Sequence, residues 1–316
     1  MNSEVYALPD REYKVVIICE TYNHELYIEN ALKGFVRQET NFPYCALVID
    51  DCSTDHNADI IREYEKKYPD IIKGVYLKEN YYSQRKSKDP IRLPWIEHAQ
   101  YVAYCVGDDY WISDNKLQLQ VDFLDHHPEY MMHFHNAIRR YQNTHQPDKV
   151  YKVFESGDFN TEKLFATWSW PTASVVLRKE VLLSKTYKEM TAVEPIDLCL
   201  FAASTCLGKV YGLSEIHSVY RIHNQGVTNF LGAQFAIRVN YSIAKITADP
   251  GALKVMERRT ARDLTGLVKP YFLRDPYAVS MVRLADSFNK RAFYLAMWNY
   301  IKSIPSRFLR KLGIIR

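Results

Sequence analysis

Residues 14–23, KVVIICETYN, set a β-branched, apolar run (Val15 to Cys19) directly before the polar Glu20, Thr21, Tyr22 and Asn23. A continuous apolar run of this length with polar punctuation predicts a buried strand that ends in a loop. The period then changes. Leu26, Ile28, Leu32, Phe35 and Val36 fall on one face of a helix. The alternation repeats: Cys45 to Ile49 predicts a second strand, and DDCSTD (50–55) offers Ser53, Thr54 and Asp55 as N-caps of a helix that Pro69 ends. Ile72 to Leu77 predicts a third strand, Glu79 to Pro94 a polar irregular stretch, and Tyr101 to Val106 a fourth strand running into GDDYW (107–111). The series predicts an α/β fold, a Rossmann-type, mainly parallel sheet with helices on both faces. In such a sheet the ligand site lies outside the carboxyl ends of the strands.

That rule gives weight to Glu20 through Asn23, Asp50 through Ser53, and Gly107 through Asp109. Loops are polar and Asp caps helices, so a single Asp says little. Repelling carboxylates gathered on one sheet edge call for a cation.

The second half is less regular. Met131 to Ile138, Val150 to Phe154 and Thr172 to Leu177 predict strands, a helix from about Glu194 to Cys206 ends at Gly208, and short strands flank Gly212 before YRIHNQG. Beyond Phe230 the pattern is mostly helical. The expected organisation is a catalytic domain over 1–230, with halves of about 14–110 and 111–230, and a helical, basic extension over 231–316.

Composition excludes several classes. With 47% hydrophobic and 25% charged residues, the 316-residue chain is neither disordered nor low-complexity. The longest stretch free of Lys, Arg, Asp and Glu is 16 residues, Ile222 to Ile237, whereas a bilayer needs roughly 20 apolar residues. MNSEVYALPDREYK lacks the basic-then-apolar order of a signal peptide, which predicts a cytosolic protein. The six cysteines have no CxxC spacing and read as buried free thiols.

Taken together and in order over residues 14–226, VVIICETYNHELYIENALKGFVRQE, LVIDDCSTD, GDDYW and YRIH resemble a family 2 glycosyltransferase of the GT-A, nucleotide-diphosphosugar-dependent type. GDD or DDxSTD alone would be a weak signal. The resemblance implies a GT-A fold, a nucleotide diphosphate sugar donor, commonly UDP-linked, and Mg²⁺ or Mn²⁺ as cofactor. Thr21, Tyr22 and Asn23 match the loop that receives the nucleotide. Asp51 matches the carboxylate that accepts from the base, a sound pairing because a carboxylate only accepts and a uracil imide N–H only donates. Asp50 and Ser53 would touch the ligand or shape its loop as turn and cap. GDDYW matches the metal motif, with Val106 where the first acidic residue usually stands. That leaves Asp108 as the metal ligand, with Asp109 supporting ribose, metal or loop, and implies weak metal affinity without nucleotide.

Asp197, eleven residues before Gly208-Lys209, matches the catalytic base, and Glu194 competes for that role. Either could instead be a first-turn acid complementing the helix dipole. His223 would ligate the metal or touch the diphosphate, Arg221 would neutralise a phosphate, Arg85 and Lys86 would meet the diphosphate or form a solvated charge run, and Trp168 and Trp170 would stack on an acceptor sugar or fill the core. The implied reaction is a single in-line displacement that inverts the anomeric carbon.

Charge is unevenly spread. From Lys254 onward there are 14 Lys and Arg against four Asp and Glu. Between Arg291 and Arg316 six Lys and Arg alternate with aromatic and aliphatic residues, with no acid. Such a pattern describes an interfacial helix on an anionic membrane better than a nucleic-acid arm, with a docked terminal helix as the plainer reading. The expected acceptor is therefore a glycan or lipid-linked sugar of the cell envelope, reached by peripheral attachment to the inner face of the membrane. The helices between Ala233 and Asp286 would pack on the catalytic domain, form a homodimer or cover the acceptor site. A sugar nucleotidyltransferase is disfavoured because ETYN replaces a glycine-rich loop; a catalytically silent sugar-nucleotide-binding scaffold remains because Val106 removes a carboxylate.

Overall fold

A computed structural model describes residues 8–9, 11–142, 144–167, 169–223, 239–268 and 290–303. The first half alternates as its pattern predicts: β1 (Tyr13–Thr21), α1 (Ile28–Val36), β2 (Tyr44–Asp50), α2 (Asn57–Lys67), β3 (Ile72–Tyr76), α3 (Asp89–Glu97) and β4 (Ala99–Tyr104). Then come β5 (Tyr110–Trp111), α4 (Lys116–His126), β6 (Tyr130–Tyr141), β7 (Lys149–Val150), β8 (Gly157–Asp158) and α5 (Thr161–Thr167). After a 3₁₀ turn at Thr172–Ser174 follow β9 (Val175–Arg178), α6 (Lys179–Leu183), α7 (Lys185–Val193), α8 (Asp197–Leu207) and β10 (Lys209–Ile222). The remaining described helices are α9 (Tyr241–Ile246), α10 (Pro250–Val268) and α11 (Lys290–Ser303).

The chain forms two compact units. One comprises 1–160, 169–188 and 203–226; the other comprises 161–168, 189–202 and 227–316. The first carries one mixed sheet of order β3-β2-β1-β4-β9-β6-β10-β5, with β7 on β6 and β8 on β10. β3, β2, β1 and β4 are parallel, and β9 joins them antiparallel to β6, which itself runs parallel to β10. Every residue of β2 is buried, as are Val15 to Cys19 of β1. This is why these strands read as unbroken apolar runs: both faces are covered. This architecture is a GT-A-like α/β fold. From β1 the chain passes to β2 and β3 on one side and returns to β4 on the other. The carboxyl ends of β1 and β4 are therefore its topological switch point.

Several expectations need correction. The stretch 79–94 is not irregular throughout: α3 begins at Asp89 and carries Pro94 inside it. Pro90 sits in the first turn, where a missing N–H costs nothing, and burial of Ile91, Trp95 and Ile96 holds the helix despite Pro94. Leu26 lies before α1 and is 75% exposed. Only Val150 of the stretch Val150 to Phe154 belongs to a strand, and Thr172 to Ser174 is a 3₁₀ turn. Trp170 is buried among Phe134, Phe154 and Phe159. Trp168 lies outside the described residues, as do 304–316 of the basic tail. All six cysteines are free, and four are buried.

One core residue is unexpected. Lys116, at the start of α4, is fully buried with its Nζ 4.0 Å from the Trp111 ring centroid and 3.4 Å from the Val175 carbonyl oxygen. Burial pushes its amine down to about 7. The unfolded chain therefore binds the extra proton between about pH 7 and 10.5, so stability rises with pH through that window. We expect Lys116→Met to stabilise the protein by about 1–3 kcal/mol near pH 6 and by less near pH 10. Equal gains at both pH values in urea melts would show that Lys116 does not titrate in the fold.

Candidate functional site

Two loops meet beyond the ends of β1 and β2. Asn23 has φ 54° and Cys52 φ 62°, left-handed values that non-glycine residues avoid. Cross-loop hydrogen bonds hold them. The Asn23 amide donates to Ser53 Oγ at 2.9 Å, the Thr54 amide to Asn23 Oδ1 at 2.8 Å, and the Glu25 amide to Asp55 Oδ2 at 2.9 Å. Ser53 and Thr54 are thereby used between loops, and α2 starts only at Asn57. Beneath them runs a buried chain. Asn57 Nδ2 donates to Asp50 Oδ1 at 2.6 Å, and Thr21 Oγ1 donates to Asn57 Oδ1 at 3.0 Å. The Ser53 amide takes the other Asp50 oxygen at 3.0 Å. Asp50 is thus wholly engaged in shaping the loop.

Beyond β4, Gly107 hydrogen-bonds the Glu20 carbonyl at 3.0 Å, and a Cβ on it would run into Thr21. This close approach sets Asp108 beside the β1 loop. Asp108 Oδ2 lies 2.9 Å from His223 Nε2 and 3.9 Å from His24 Nε2. One ligand atom from each of the three residues falls within 4.8 Å of the others. Burial alone would raise the Asp108 carboxyl; the His223 hydrogen bond and the His24 imidazole override it and hold it below its ordinary value. Burial lowers His24 against the pull of Asp108. A carboxylate and two imidazoles suit a divalent transition metal or Mn²⁺, so the donor set fits the metal that the fold implies.

Asp109 and Arg221 lock this loop to β10. The Arg221 amide donates to Asp109 Oδ1 at 2.9 Å, and its guanidinium donates to the Asp108 carbonyl at 2.6 Å. The same guanidinium lies 4.4 Å from the Tyr110 ring centroid. Both residues are buried. Trp111 anchors the segment by donating to the Ala173 carbonyl at 2.8 Å.

Asp51 faces another loop. It accepts from the Tyr81 and Tyr82 amides at 2.7 and 3.0 Å and pairs with Lys88, whose Nζ is 3.0 Å from Asp51 and 2.9 Å from Glu20. Arg85 is exposed on that loop, and Tyr22 is 43% exposed. Asp197 begins α8 and is exposed, and Glu194 is half-buried; both belong to the second unit. The sequence reading missed His24, Asn57 and Lys88. His24 directly follows the matched Thr21-Tyr22-Asn23, and that adjacency was the available signal.

Residues 15–181, more than half of the chain, match the model described as Glycosyl transferase family 2, and the chain belongs to that family. It is 34% identical over 212 residues to the uncharacterized protein Rv1520 of Mycobacterium tuberculosis, covering 67% of this chain and 59% of that protein. The chain thus spans about three fifths of the length of that relative. It is 25% identical over 238 residues to the dTDP-rhamnosyl transferase RfbG of Shigella flexneri, covering 70% of this chain and 76% of RfbG. In structure it resembles Staphylococcus aureus TarS 1–349, crystallised with UDP-GlcNAc, at a TM-score of 0.62 and 16% identity over 90% of this chain and 84% of that one. TarS is named a poly(ribitol-phosphate) beta-N-acetylglucosaminyltransferase. At that identity the likeness shows the shared GT-A fold alone.

Asn57 is fully buried and links Asp50 to Thr21. Removing it leaves a buried carboxylate oxygen and a hydroxyl unmatched, so Asn57→Ala should cost about 2–3 kcal/mol in urea denaturation. An unchanged midpoint would mean that the chain does not support the loops.

Proposed function

We propose that this chain is a metal-dependent inverting glycosyltransferase of hexosyltransferase type. It moves a sugar from a nucleotide diphosphate donor, UDP-linked, to a hydroxyl of a glycan or lipid-linked acceptor in cell-envelope polysaccharide synthesis. The observation that carries this is the cluster of Asp108, His24 and His223 at the switch point of the sheet, where such folds bind ligands. The UDP-GlcNAc in TarS and the dTDP donor in the name of RfbG support the donor class. Uracil and thymine both present an imide N–H. Asp51 accepts two amides and one Lys88 contact, which leaves a lone-pair direction for that donor.

In this reading Thr21, Tyr22, Asn23 and Ser53 form the nucleotide loop and Arg85 meets the diphosphate. Asp108 and His223 would hold a divalent ion, which would supply charge neutralisation for the departing diphosphate. Asp109 and Arg221 fix the loop that presents Asp108, and the Arg221 charge adds to the field there. Asp197, with Glu194 as the competing carboxylate, takes the proton from the acceptor hydroxyl as it attacks. Attack from the face opposite the leaving group inverts the anomeric carbon.

α11 supports a membrane-proximal acceptor. It packs against α10, and Arg291, Tyr294, Leu295, Trp298 and Lys302 fall along one helical stripe. Tyr294 is 65% exposed and Trp298 55%. Exposed aromatics bracketed by basic residues suit the interface of an anionic bilayer, in the manner of a peripheral protein. Among the described residues no helix is long and apolar enough to cross a membrane.

NMR of the product should show the anomeric configuration opposite to that of the donor; retention would contradict the mechanism. Asp197→Asn should lower turnover by about 10²–10⁴-fold, and full activity in both Asp197→Asn and Glu194→Gln would remove both bases. Tyr294→Ala with Trp298→Ala should reduce flotation with phosphatidylglycerol vesicles by about fivefold or more, whereas equal flotation would rule out the stripe.

A further inference from the structure

The stretch that resembles the family's metal motif has Val106 where the first acidic residue usually stands. A ligand from another strand end occupies the vicinity. His24, in the loop after β1, brings Nε2 to 3.9 Å from Asp108 Oδ2, on the carboxylate that His223 approaches at 2.9 Å.

The proton on His24 can be assigned. Asn57 Nδ2 donates to Asp50, so its Oδ1 faces Thr21 and takes the one proton of the Thr21 hydroxyl. Thr21 Oγ1, 3.2 Å from His24 Nδ1, is then an acceptor only, and Nδ1 must carry the hydrogen. With Nδ1–H held by Thr21, Nε2 is the ring nitrogen left for a metal, and it faces the Asp108 carboxylate. A cation between that nitrogen and the carboxylate would be met by both. A backing hydrogen bond on the distal ring nitrogen is also what a metal-bound histidine ordinarily has. Ligand atoms on one ion at about 2.1 Å stand roughly 3.0–3.4 Å apart in cis positions; here His223 stands 2.9 Å and His24 3.9 Å from Asp108, so binding would draw His24 inward.

We propose that His24 takes the place of the missing motif carboxylate, giving a two-histidine, one-carboxylate site that prefers Mn²⁺ to Mg²⁺ and binds it before nucleotide. The inference rests on the metal-dependent reading of this site and names the residue that sets its selectivity. Imidazole favours transition metals, whereas Mg²⁺ favours oxygen ligands and keeps its waters. A site of one carboxylate would instead wait for the diphosphate to complete it.

The test is Mn²⁺ and Mg²⁺ titration of the full chain without nucleotide, by calorimetry and electron paramagnetic resonance. Wild type should bind Mn²⁺ at least about tenfold tighter than Mg²⁺. His24→Ala should weaken Mn²⁺ binding by about tenfold or more while keeping the circular dichroism melt. Val106→Asp in the His24→Ala background should restore binding and shift the preference toward Mg²⁺. If His24→Ala does not fold, wild type alone suffices, because electron spin echo modulation should show two imidazole nitrogens on bound Mn²⁺. Mn²⁺ affinity within about twofold of wild type in folded His24→Ala, or one nitrogen in the echo pattern, would overturn the proposal. UDP titrated in parallel separates the two readings. UDP binding with His24-independent Mn²⁺ affinity removes the role of His24 and keeps the transferase, whereas His24-dependent Mn²⁺ affinity with no nucleotide binding does the reverse.

Discussion

The close approach of Gly107 to Thr21 is the contact on which the site depends. Only a residue without a side chain lets the end of β4 lie against the end of β1. That approach brings Asp108 to the loop that carries His24, while Thr21 also receives the buried chain from Asp50 through Asn57. One threonine therefore joins the packing of two strand ends, the shape of two left-handed loop residues and the orientation of an imidazole. The cost of the left-handed backbone at Asn23 and Cys52, of order 1–3 kcal/mol each, is offset by hydrogen bonds spanning the two loops.

The second support comes from the far side of the sheet. β10 ends in Arg221 and Ile222 with His223 directly after, and its pairing with β5 brings it alongside the loop of Asp108. Arg221 grips the Asp108 carbonyl and Asp109 accepts the Arg221 amide, so the loop is tied at both ends. The mixed half of the sheet thus delivers His223 to a site whose other parts come from the parallel half. Such preorganisation lets charge developing on a leaving group be met without rearrangement.

The parallel core was legible because strands buried on both faces leave unbroken apolar runs, as Val15 to Cys19 and Cys45 to Ile49 do. α3 was not, since two prolines in a short basic and polar stretch look like loop until the burial of Trp95 is known. Asp108 and His223 stood out through their motifs. Arg221 stood out too, but its hydrogen bond to a carbonyl 113 residues away could not be read from spacing. His24 and Asn57 belong to no spacing rule; they matter because two loops fold against each other. Asp51 was legible as a strand-end carboxylate, whereas its Lys88 partner became visible only when α3 packed near β1.

In the function proposed above, the shared edge of β1 and β4 binds a nucleoside diphosphate through a metal held at Asp108. Isothermal calorimetry of UDP with and without Mn²⁺, on wild type and on Asp108→Ala, tests it most directly. Binding should require the metal and be lost in the variant while the variant stays folded. Binding of equal strength without metal or in Asp108→Ala, or none by folded wild type, would contradict it.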